Sequence, residues 1–107
     1  MTGMTGGISN LVGRVHQLTQ RMEEAHDKAR GDQWAEKYGQ LLTEYKAAIK
    51  LLGVLDPEAA AILRQEVEEE LRKAQATPVR NMDEDLERDR QVLLRLDMRE
   101  AFESALE

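Results

Sequence analysis

Apolar side chains recur along this chain in alternating steps of three and four, and the rhythm breaks only where residues that stop or start helices stand. From Ile8 the series runs Leu11, Val15, Leu18, Met22, Ala25, Ala29, an a/d seam of the kind that packs on one or two neighbouring helices. A second series, Tyr38, Leu41, Tyr45, Ala48, Leu52, is widened by Leu42, Ile49 and, one turn earlier, Trp34. A third runs Ala60, Leu63, Val67, Leu71, Ala74, with Ile62 beside it. No alternating strand pattern competes with these three.

The breaks are equally informative. Gly31 is placed to end the first helix and Asp32 to begin the next, although Gly31 absorbed into one long helix over 8–52 would cost only about 1 kcal/mol. Gly53 suits a left-handed helix end, and Asp56-Pro57-Glu58 supplies an N-cap, a proline in the first turn and an acid at the positive end of the dipole. The spacing predicts a tight helical hairpin with its turn at 53–56. Thr77-Pro78 then disfavours helix, and a last helix follows over about 83–106. Its first half carries Asp83, Glu84, Asp85, Glu87 and Asp89 with only Leu86 to bury. Its second half is rich in apolar residues, Val92, Leu93, Leu94, Leu96, Met98 and Phe102 among them.

These elements predict an all-α fold: an antiparallel helical hairpin core with coiled-coil-like packing, oligomeric, plus a C-terminal amphipathic helix. The expected organisation is a disordered lead-in at 1–7, a helical oligomerisation core at 8–76, a linker at 77–82 and a partner-binding helix at 83–107. Self-association is expected because the chain has 107 residues and four aromatic side chains, and a domain this small buries only about two-thirds of its unfolded surface. Leu11, Val15, Leu18, Met22, Tyr38, Leu41, Tyr45, Ile49, Leu52, Leu63 and Val67 are the expected oligomerisation residues. Leu93, Leu96, Phe102 and Leu106 are the expected anchors for a protein partner. On this view, removal of 83–107 leaves assembly intact and abolishes partner capture.

Chemistry is sparse. The absence of cysteine excludes disulfides, thiolate metal sites and thiol nucleophiles. His16 and His26 are ten residues apart, about 80° out of line on a helix, so one chain cannot bring them to a common metal. Four glutamates at 66 and 68–70 form a solubilising face, with no sign of a buried acid/base pair. The expectation is a non-enzymatic protein without cofactor or metal, outside the membrane and in the cytoplasm, since neither a spanning segment nor a signal peptide is readable.

Charge is unevenly spread. Residues 1–55 carry seven basic and six acidic side chains, and residues 56–107 carry eight and fifteen. Within the first half, Arg14, Arg21 and Lys28 recur every seven residues beside the seam, with Arg30 nearby. Two readings stay open: flank charges paired with acids on a neighbouring helix, or a basic stripe for weak, sequence-blind contact with a nucleic-acid backbone.

The segment from Trp34 to Val67, above all Leu42 to Gly53 (LTEYKAAIKLLG) followed by Leu55 to Ala59 (LDPEA), resembles the oligomerisation hairpin of small terminase subunits of tailed phages. The likeness covers about a third of the chain. It implies a ring-forming homo-oligomeric adaptor that brings DNA to the large terminase subunit, regulates that motor and recruits it through a C-terminal segment. Only about 30 residues precede the hairpin, too few for the helix-turn-helix with which such proteins usually begin. The resemblance therefore implies a reduced form, as in gene transfer agents, that packages DNA without choosing a sequence. The competing readings are a small helical inhibitor or antitoxin-like regulator that masks a partner, and a purely structural coiled coil.

If the basic stripe touches DNA, replacing Arg14, Arg21 and Lys28 by Ala lowers affinity for duplex DNA and flattens its dependence on salt by about three units of log-log slope. Retardation assays over a salt series read this directly, and unchanged binding ends the idea.

Overall fold

The computed structural model describes residues 3–27 and 32–107, without the side chains of residues 3–9 and of Asp32; Lys28, Ala29, Arg30 and Gly31 lie outside them, as does the side chain of Ile8. Four helices follow one another: α1 (Gly3–Asp27), α2 (Asp32–Leu55), α3 (Pro57–Ala76) and α4 (Met82–Leu106). The region 8–52 is thus two helices, and α1 begins at Gly3, five residues before the first seam position.

The helix ends follow the local chemistry. Asp56 is the single residue between α2 and α3: its N–H donates to the Leu52 carbonyl at 2.7 Å, and its carboxylate accepts from the Ala59 N–H at 3.1 Å. Pro57 occupies the first turn, where its missing N–H costs nothing. Gly53 departs from expectation. It lies inside α2, and no described residue has a positive φ, so no left-handed cap is used; the N-cap of α3 suffices to turn the chain. At the other hinge Pro78 follows the C-cap Thr77, and Asn81 caps α4 by accepting from the Glu84 N–H at 2.9 Å. Glu84 in turn accepts from the Arg80 N–H at 2.9 Å, the reciprocal arrangement of a capping box displaced by one residue.

α1 packs mainly on α2, while α4 packs on both α2 and α3. The pairs Arg14–Glu44, Glu23–Arg95 and Tyr38–Asp97, with the caps above, define the directions: α1 and α3 run one way, α2 and α4 the other. The bundle measures 53 × 31 × 26 Å.

One hydrophobic cluster unites all four helices. Val15, Leu18, Met22 and Ala25 of α1 meet Leu41, Tyr45, Ile49 and Leu52 of α2, Ala60, Leu63 and Val67 of α3, and Leu94, Met98, Ala101 and Phe102 of α4. Tyr45 and Phe102 stand edge to face, centroids 5.9 Å apart and planes at 82°, the arrangement that aligns a ring's positive edge with its neighbour's negative face.

Two expectations are corrected by this packing. The predicted oligomerisation residues Val15, Leu18, Met22, Leu41, Tyr45, Ile49, Leu52, Leu63 and Val67 are buried within one chain, with Leu11 and Tyr38 packed at the margin, so they are not free to bind other copies. Their missing cover is α4. Consequently α4 is not an appendage to a finished core: removing 83–107 would strip away Leu94, Met98, Ala101 and Phe102 and leave Tyr45 open to water. The five residues between α3 and α4 are an ordinary bundle connection.

Phe102→Ala is expected to lower stability by about 3–5 kcal/mol, which for a domain of this size drops the thermal midpoint by roughly 12 °C or more. Leu93→Ala, on the exposed side of the same helix, is expected to change it by under about 0.5 kcal/mol. Thermal denaturation followed by circular dichroism compares the two; equal effects would mean that α4 is wrongly seated.

Candidate functional site

Burial of Leu94, Met98, Ala101 and Phe102 sets the rotation of α4 about its own axis, and polar ties to three helices accompany it. Arg95, whose side chain is only 12% exposed, donates to Glu23 of α1 at 2.7 Å. Arg90 lies 3.7 Å from Asp27 of the same helix, and Arg99 lies 3.9 Å from Glu68 of α3. Towards α2, the Tyr38 hydroxyl donates to Asp97 at 2.7 Å. The exposed pairs contribute little individually. Together they bracket the apolar strip Leu94–Met98–Ala101–Phe102.

The same rotation leaves a second apolar line facing out. Met82, Leu86 and Leu93 are spaced by four and seven residues, so they share one face, and each is more than half exposed. Val92 and Leu96 flank the line half-buried. Acids border it: Asp85 and Asp89 both contact Arg88, at 2.6 and 3.6 Å, and Asp83 precedes them. An exposed apolar line with a charged rim is the composition of a protein-binding face.

The predicted anchors divide accordingly. Leu93 is exposed, Leu96 is half-buried and Leu106 sits at the exposed margin, whereas Phe102 is fully buried. Phe102 is therefore corrected from docking anchor to core residue, because Tyr45 claims its ring. Met82 and Leu86 were missed. Leu86 was legible as the lone apolar residue in an acidic stretch, a position with no second apolar neighbour to bury it.

A further apolar group surrounds the α2–α3 hinge. Leu51, Val54 and Leu55 project from the last turns of α2, and Ile62 from the second turn of α3. Leu106 reaches the same end, its Cδ2 atom lying 2.5 Å from where a Cβ on Gly53 would stand. Glycine there lets the two helix ends approach.

The basic stripe is only partly described. Arg14 donates to Glu44 of α2 at 3.2 Å, which is the flank pairing weighed against a nucleic-acid surface. Arg21 is exposed and borders a shallow cavity with Trp34 and Lys37, while Lys28 and Arg30 lie outside the described residues.

Several cavities open between the helices. The larger of those near α4, about 340 Å³ between the end of α3 and the start of α4, includes Lys73, Arg88 and Arg95. All three are committed to acids, Lys73 to Glu70 at 3.4 Å. A slot of about 180 Å³ between α1 and α3 has Tyr45 and Met98 in its lining, smaller than the usual ligand site. His16 at its edge lies 3.5 Å from Glu66. His26 stands edge-on to Tyr38, centroids 5.2 Å apart, and its Nδ1 is buried without a hydrogen-bond partner. Among the described residues no group of three His, Cys, Asp or Glu could hold a metal ion, and no helix is long and apolar enough to cross a membrane.

Compared with known families, curated proteins and solved structures, the chain matches none.

Two tyrosines carry the clearest titration signal. Burial pushes the Tyr38 hydroxyl well above its ordinary range, reinforced by its hydrogen bond to Asp97 and by that carboxylate's charge. Burial likewise pushes Tyr45 up, partly offset by the hydrogen bond with Thr19 and by the charge of Arg95. Each folded-state value exceeds the unfolded value near 10. The unfolded chain therefore releases these protons first, so their contribution is complete below about pH 10 and is lost as pH rises further. Stability measured by urea titration is expected to fall above about pH 10, and less steeply in Tyr38→Phe; an identical alkaline profile for that variant would contradict the assignment.

Proposed function

We propose that this chain is a non-enzymatic helical adaptor that captures a protein partner on the outer face of α4. The observation that carries the reading is the division of labour on that helix: Leu94, Met98, Ala101 and Phe102 satisfy the core, while Met82, Leu86 and Leu93 remain in water with no internal task. Keeping three large apolar residues exposed gives nothing to the folded monomer, and a partner's surface is what such a line suits.

The specific form of this reading is DNA packaging of the viral type, with the large terminase subunit as partner. Its support is the resemblance of Trp34–Val67 to small terminase hairpins, together with the one-residue Asp56 connection between α2 and α3. DNA contact in this form is weak and blind to sequence. It rests on Arg21, Lys28 and Arg30, since Arg14 is engaged by Glu44.

A second reading, the regulator that masks a partner, is favoured by the core being complete within one chain. Both readings use the same face of α4, and they differ in what is captured.

Leu86→Asp with Leu93→Asp is expected to weaken capture of the large terminase subunit at least about thirtyfold with the far-ultraviolet spectrum unchanged. Co-sedimentation with the purified motor checks this. Failure of the unaltered protein to capture the motor ends the packaging form; capture that survives both substitutions ends the assignment to α4.

A further inference from the structure

The hinge end of the bundle carries an apolar surface that neither the core nor the α4 face explains. Leu51 and Leu55 share the flank of α2 that also bears Glu44, the side towards α1, and Ile62 shares a flank of α3 with Glu66, which approaches His16 of α1. Val54 and Leu106 extend the patch around the end of α2. With exposures from 36% to 76%, the five side chains present on the order of 400–500 Å², half or more of the ~800 Å² that a standard interface takes from each partner. The largest apolar patch on a monomer is commonly of about this size and is often functional.

The charges beside it are of both signs and are complementary to themselves. Lys46 and Lys50 lie on α2, Lys50 one turn before Val54; Glu58 lies on α3, one turn before Ile62. Among the described residues no acid lies within 4 Å of Lys46 or Lys50, and no base within 4 Å of Glu58. A surface bearing an apolar centre, a free cation on one side and a free anion on the other matches a copy of itself turned through 180°.

We infer that the hinge end is a twofold interface at which two copies of this chain meet end to end, Leu51, Val54, Leu55, Ile62 and Leu106 forming its dry centre. Lys50 of each copy faces Glu58 of the other. The contact uses none of the seam residues, which the core has already consumed. It leaves the α4 faces of both copies free, so a dimer presents two docking lines to a partner and gains from their linkage.

Sedimentation equilibrium of the full chain over a concentration series tests the inference. A monomer–dimer equilibrium is expected. Val54→Asp with Ile62→Asp raises its dissociation constant at least about thirtyfold, with helix content by circular dichroism unchanged. Lys50→Glu and Glu58→Lys each raise it about three- to fivefold, and the double exchange restores it. Leu86→Asp with Leu93→Asp leaves it unaltered, which separates this interface from the α4 site. A single species of 12.2 kDa at every concentration up to the millimolar range overturns the proposal and assigns the patch to a different protein. An assembly larger than a dimer, or a dimer indifferent to the Val54 and Ile62 changes, overturns it equally.

Discussion

The ring of Phe102 against the ring of Tyr45 is the contact on which the rest of this molecule depends. Tyr45 is the largest buried side chain of α2 and sits at the middle of the bundle. Three helices with narrow apolar seams leave one side of it open. Phe102, with Met98 and Leu94 on preceding turns, closes that side, and both rings reach full burial. Beside the tyrosine hydroxyl stands Thr19, whose own hydroxyl donates to the Val15 carbonyl at 3.0 Å.

Closing the core with α4 decides what the outside of the molecule can do. A helix has a limited circumference, and the second half of α4 carries more apolar residues than one contact face can hold. Once Leu94, Met98, Ala101 and Phe102 turn inward, with Arg95, Arg99 and the Tyr38–Asp97 bond matching that rotation, Leu93 is left outside. The surface line is thus a geometric consequence of the core, and the same packing that stabilises the fold orients the proposed docking face. At the hinge end the logic differs. A one-residue turn brings two helix ends together, and the C-terminus of α4 arrives there as well. Three sets of apolar side chains are gathered there, each at least 36% exposed.

Much of the fold was legible. The helical class, the Asp56-Pro57 start, the Pro78 stop and the inward faces of α1, α2 and α3 follow from period and capping, which are local properties, whereas one helix or two over 8–52 stayed open. Locality also explains the errors. Gly53 looked like a left-handed terminator because glycine usually is one there, yet its use is close approach to Leu106, a contact 53 positions distant in sequence. Phe102 looked like a sticky anchor because a strongly apolar helix after a proline-containing linker reads as an appendage. Nothing within α4 reveals that Tyr45 lacks a neighbour. The exposure of Met82 and Val54 was hidden for the same reason, since a side chain's burial depends on what faces it.

The sequence by itself therefore determined the sharpest helix boundaries, Asp56-Pro57 and Thr77-Pro78, and which faces of the first three helices are apolar, because hydrogen bonding, capping and side-chain periodicity act over one to four residues. Only the tertiary structure decided that these faces are satisfied inside one chain, that α4 supplies the cover, and which apolar residues are left over for partners. Those outcomes depend on the rotation and pairing of whole helices, quantities set by summed contacts between residues up to 72 positions apart, such as Glu23 and Arg95.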